Sequence, residues 1–102
     1  MRKKPQNTQL SIVIPVFNEE EVLPTLMREL CSVCDSLGRN YEIVFVDDGS
    51  SDRTAEILGQ FAARDSRIKT LHFSRNFGHQ AAFNAGIDVA QGELVLTMDG
   101  DL

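Results

Sequence analysis

The stretch YEIVFVDDGSSD, residues 41–52, decides how this chain is read. Its first six residues are dense in β-branched and aromatic types, which favour a strand. The apolar run is almost continuous instead of alternating, so both faces of that strand are expected to be buried, as in a parallel sheet. The run then breaks on two aspartates, a glycine and two serines. Those residues suit a tight turn leading into a helix N-cap. A buried strand that ends in a polar turn and a helix start is the repeating unit of an α/β fold.

Working outward, the same unit recurs. LSIVIPVF (10–17) reads as a strand, followed by a helix over 22–37 in which Leu23, Leu26, Met27, Leu30, Cys34 and Leu37 form one apolar stripe. Pro24 is acceptable only in the first turn of that helix, Asn18 and Glu21 fit a capping box, and Gly38 is the expected stop. Residues 41–48 form the second strand. The second helix covers 52–64, with Ser51 or Asp52 as N-cap and Ile57, Leu58 and Phe61 facing inward. IKTLHFS (68–74) is a third strand, 79–91 an alanine-rich helix capped by Gly92, and ELVLTM (93–98) a fourth strand. Residues 1–9 read as a flexible polar leader. Strands alternating with helices imply right-handed βαβ crossovers and a parallel sheet, in the order 3-2-1-4.

The bulk numbers narrow the function classes. With 102 residues the chain is one small domain, and 42% hydrophobic with 25% charged residues is ordinary for a globular one. A net charge of -5 argues against nucleic acid as a partner. No apolar stretch approaches the roughly 20 residues of a membrane span, so the chain is expected in the cytosol, or, as part of a full-length parent, at the cytoplasmic face of a membrane. The pair Cys31 and Cys34 falls inside the first helical stripe, with no second ligand pair for zinc, and reads as structural thiols.

The unusual polar residues all follow carboxyl ends of strands: Asn18 to Glu21 after the first, Asp47 to Ser51 after the second, Ser74 to His79 after the third, and Asp99 to Asp101 after the fourth. In open parallel sheets ligands bind there, where the strand order reverses. Asp48 can accept a hydrogen bond from a base N–H flanked by carbonyls, such as uracil or guanine offers. Asp99 and Asp101, two apart on an extended chain, point the same way and can share Mg²⁺ or Mn²⁺ with a phosphate. Gly100 between them leaves room for a ribose or phosphate. Glu19 lies just past its strand, facing the crevice, and Pro15 marks where that strand leaves the sheet. Arg75 suits either a phosphate or the acidic loops. His79 reads as a surface or capping residue.

Taken in order, SIVIPVFNEEE, YEIVFVDDGSSDRT, SRNFGHQAA and GELVLTMDGDL resemble the family 2 glycosyltransferases of GT-A fold over residues 10–102. RNFGH points to the branch that acts on polyprenyl phosphates such as dolichyl or undecaprenyl phosphate. The resemblance implies that Pro15, Phe17 and Glu19 line a nucleotide pocket and that Val46 and Asp48 contact the base. It assigns Asp99, Gly100 and Asp101 to an Asp-x-Asp element, with Asp99 toward the nucleotide sugar and Asp101, the catalytic candidate, on the metal. Phe17 stands where the family often has tyrosine. The implied reaction moves a sugar from a UDP- or GDP-sugar to a lipid phosphate. The resemblance also implies a longer parent enzyme, with the acceptor site, further phosphate contacts and peripheral membrane association supplied beyond Leu102, and an inactive isolated segment. A non-catalytic nucleotide-binding or interaction module is the other reading. A phosphoacceptor receiver domain would need an acceptor aspartate on the third strand, and a dinucleotide fold a G-x-G-x-x-G after the first; the chain has neither.

Overall fold

The computed structural model describes residues 7–100. The elements alternate along the chain as β1 (Leu10–Val16), α1 (Leu23–Leu37), β2 (Tyr41–Asp47), α2 (Thr54–Arg64), β3 (Ile68–His72), α3 (His79–Val89) and β4 (Leu94–Thr97). The four strands form one parallel sheet in the order β3-β2-β1-β4. Leu10 pairs with Tyr41 on one side and Leu94 on the other, so β1 and β2 are the central strands. Every residue of both is buried, as their unbroken apolar runs require.

The two faces of the sheet are covered unequally. Leu10, Ile12, Ile14 and Val16 of β1 join Tyr41, Ile43 and Phe45 of β2 under α1 and α2. Leu23, Leu26, Met27, Leu30 and Cys34 of α1 complete that core, which follows from their spacing of three and four residues. Leu37, read as part of the stripe, is instead 51% exposed at the helix end. From α2, Leu58 is fully buried, while Ile57 and Phe61 pack on the core half-buried. On the other face, Val13, Val44 and Val46 meet Ala82 of α3. Gly86, one turn on, lets the helix lie close, since a methyl there would collide with Val13.

Several helix ends differ from expectation. Gly38 does stop α1 in the left-handed region, at φ 66°, and Pro24 sits in its first turn. Asn18 and Glu21 do not form a capping box; α1 begins after Val22, and Asn18 caps a different loop. Arg53, not Ser51 or Asp52, occupies the N-cap position of α2, although Asp52 Oδ1 still accepts the Thr54 N–H at 2.8 Å. Ala90, not Gly92, follows the last turn of α3. Gly92 serves a close approach instead: its N–H donates to Ser11 Oγ at 2.8 Å, and a side chain would strike the Ser11 backbone. Residues 7–9 are pinned, with Gln9 and Asn40 exchanging hydrogen bonds.

Pro15 sits in a central strand without cost. Gln9 and Val13 direct their carbonyls to β4, so the side of β1 on which residue 15 would donate also faces β4. The β1–β4 pairing ends at Val13 and Thr97, before Pro15 is reached. The missing N–H therefore removes no ladder bond.

Candidate functional site

At the carboxyl end of the sheet, side chains lock together the polar segments that follow β1, β2 and β3, and Asp99 and Gly100 after β4 lie beside Pro15. Asn18 adopts a positive φ of 53°, a conformation that asparagine tolerates. That turn aims its Oδ1 at the Ser51 and Asp52 N–H groups, at 2.8 and 3.3 Å. In return Ser50 Oγ accepts the Asn18 N–H and Thr54 Oγ1 accepts the Glu19 N–H, each at 2.9 Å. Glu20 and Asp52 complete the exchange through backbone N–H groups. Hydrogen bonding holds the Asp52 carboxyl below its ordinary value: burial pushes it up, but the donors from Thr54 and Glu20 outweigh that.

The aspartate pair after β2 divides its work. Asp47 Oδ1 accepts the Ser50 N–H at 3.0 Å, and its Oδ2 lies 3.2 Å from His72 Nδ1. Asp48, 1% exposed, holds the loop before α3. It accepts from the Phe77 N–H at 2.7 Å, the Gly78 N–H at 3.0 Å and the Asn76 amide at 3.1 Å. Gly49, at φ 77°, lets the Arg75 backbone rest directly on it, since a Cβ would overlap that backbone. Arg75 itself stacks on Phe77, its guanidinium 4.3 Å from the ring centroid.

Beside these loops lies a cavity of about 260 Å³ lined by Pro15, Phe17, Glu19, His79, Asp99 and Gly100. Five of these were expected site residues; His79 was not. Gly100 is buried against Val16 and the Pro15 carbonyl, where no side chain would fit. Val46 and Asp48 do not line the cavity: Val46 is fully buried under α3, and Asp48 lies behind, bonded to the loop that carries His79. Asp101 falls outside the described residues. His79, read as a surface or capping residue, is indeed exposed as the first residue of α3, and it also lines the cavity. Only the crossover of α3 over β1 brings it to the β1 and β4 ends.

The described part of the site offers carboxylate oxygens, from Asp99 and Glu19, of the kind Mg²⁺ or Mn²⁺ takes with phosphate oxygens completing the shell. No group of three or more His, Cys, Asp or Glu among the described residues is placed to hold a metal by itself. The cysteines are elsewhere, on α1, where burial pushes both thiols up, as for structural residues.

The model of the family described as glycosyl transferase family 2 matches residues 11–102. The chain belongs to the family 2 glycosyltransferases. It is 48% identical over 97 residues to the uncharacterized glycosyltransferase YkcC of Bacillus subtilis (strain 168), covering 95% of this chain and 30% of that protein. It is 49% identical over 94 residues to an undecaprenyl-phosphate 4-deoxy-4-formamido-L-arabinose transferase of Edwardsiella ictaluri (strain 93-146), covering 91% of this chain and 29% of that one. Among solved structures it is similar to S. aureus TarS 1–349 in complex with UDP-GlcNAc, with a TM-score of 0.77 and 27% identity over 92% of this chain and 27% of that chain. The chain thus spans about 30% of the length of the curated relatives it matches. The parallel 3-2-1-4 sheet is that of the GT-A glycosyltransferases.

Proposed function

We propose that this chain is the donor-nucleotide part of a glycosyltransferase that moves a sugar from a UDP- or GDP-sugar to a polyprenyl phosphate. The observation that carries this reading is that Pro15, Phe17, Glu19, Asp99 and Gly100, from two strand ends far apart in sequence, share one cavity. Support for the donor comes from the similarity to TarS, solved with UDP-GlcNAc. Support for the lipid acceptor comes from relatives named for undecaprenyl phosphate. Because the chain spans about 30% of their length, transfer and acceptor recognition are proposed for a protein of that length, at the cytoplasmic face of a membrane.

Each residue has a physical part in this proposal. Phe17 is 41% exposed and offers a ring for base stacking. Asp48 serves the site from behind, its carboxylate accepting from the Asn76 amide and the Phe77 and Gly78 N–H groups and so fixing the loop that leads into His79. Gly100 keeps the cavity floor open beside Pro15. Asp99, with Asp101 two residues on, would hold Mg²⁺ or Mn²⁺ together with the diphosphate. Such a cation, when bound, neutralises charge on the departing diphosphate. The acceptor phosphate oxygen is already anionic, so the chain needs no strong base at that atom.

Thermal unfolding of the chain with UDP or GDP, each with and without Mn²⁺, tests the proposal. A cation-dependent rise in Tm with one nucleotide is expected. Equal Tm under all conditions would overturn the donor-site reading.

A further inference from the structure

A nucleoside diphosphate carries its charge on the pyrophosphate, yet the side chains around the cavity are nearly all acidic or neutral. Glu19 and Asp99 are carboxylates, and Pro15, Phe17 and Gly100 offer no side-chain donor. His79 is, among the described lining residues, the single side chain able to donate a hydrogen bond. Its placement is built. Asp48 binds the Phe77 and Gly78 N–H groups, and Gly78 turns at φ 103° into α3. Phe83, one turn along, meets the His79 ring edge-on, with centroids 6.1 Å apart at 79°. His79 is also the first residue of an 11-residue helix, where unpaired backbone N–H groups and the helix dipole favour an anion.

We infer that His79 is a donor-binding residue of this site, giving a hydrogen bond to the diphosphate of the nucleotide and not to its base. The assignment rests on the donor-site reading and extends it. His79 lines the same cavity as Phe17 and Asp99, and with a base stacked on Phe17 and a cation at Asp99 the phosphates would lie between them, within that cavity. An imidazole donates from one ring nitrogen even when neutral, so the contact does not depend on protonation.

Isothermal titration of the chain in Mg²⁺ with UDP and GDP, and with uridine and guanosine, tests this. The native chain is expected to bind one diphosphate more tightly than its nucleoside. His79→Ala should weaken that diphosphate by about tenfold or more, as for loss of one hydrogen bond to a charged group, with nucleoside affinity unchanged. The His79 ring C2–H resonance should shift with the diphosphate and stay in place with the nucleoside. A His79→Ala chain that binds the diphosphate as the native chain does, or a ring signal that follows the nucleoside, overturns the inference while leaving the donor site intact. No binding by the native chain overturns the donor-site reading and the inference with it. Should circular dichroism show His79→Ala unfolded, His79→Gln and the native ring signal decide the matter.

Discussion

Buried carboxylates stand at both ends of β2, and two of them, Glu42 and Asp48, are treated differently. Glu42, at the amino end, is fully buried and fully answered: Lys69 Nζ lies 2.7 Å away, and Ser11 Oγ and the Gln91 N–H each donate at 2.6 Å. Asp48, just past the carboxyl end, is equally buried but is held by neutral N–H donors from Asn76, Phe77 and Gly78. Each clamps one end of α3, Asp48 the loop entering it and Glu42 the connection leaving it. The difference separates the end that only ties elements together from the end beside the proposed donor cavity. At the amino end the charge is compensated by the Lys69 cation in place. Behind the proposed donor cavity, the Asp48 carboxylate is held by neutral N–H dipoles.

Truncation should hurt the amino end most. Glu42→Ala strands Lys69, the Ser11 hydroxyl and the Gln91 N–H, and an expected loss of about 2–4 kcal/mol would show in urea denaturation. That is a large share of the 5–15 kcal/mol typical of a domain. Asp48→Ala should cost about 1–3 kcal/mol, with faster amide exchange confined to Phe77, Gly78 and the start of α3. Uniformly faster exchange would break the assignment of Asp48 to one loop. Gly86→Ala drives a methyl into Val13 and lifts α3 from between the two clamps. Overpacking of this kind costs about 1–3 kcal/mol, and exchange should rise at both ends together.

The pH dependence sharpens the same contrast. Burial pushes the Glu42 carboxyl up, but the Gln91 N–H, Lys69 and Ser11 outweigh it and hold the group below its ordinary 4.5. A depressed folded value means that Glu42 stabilises the fold above the unfolded value and that this contribution is lost as pH falls through the folded one. Denaturation midpoints should therefore drop below about pH 4.5, and Glu42→Gln should flatten that drop. The smallest effect belongs to Asn18→Ala, about 1 kcal/mol as for a lost cap, read from the Tm. It should loosen the 50–52 turn without touching the Glu42 end.

Much of this is legible in the sequence. The unbroken apolar runs of β1 and β2, the 3–4 spacing on α1 and the glycine after it required a parallel α/β sheet, because buried backbones must pair and one helix face must be covered. The clustering of Asn18, Glu19, Asp47, Asp48 and Asp99 at strand ends put the candidate site at the carboxyl edge, because parallel strands all end on one side. What the sequence could not show was which polar residue holds which loop. Asn18 caps a turn more than 30 residues away, Gly92 is required by Ser11 across the sheet, and His79 reaches the cavity only because α3 crosses back over β1. Those roles depend on contacts between distant segments. Strand order and helix crossing create them, and only the tertiary structure decided them.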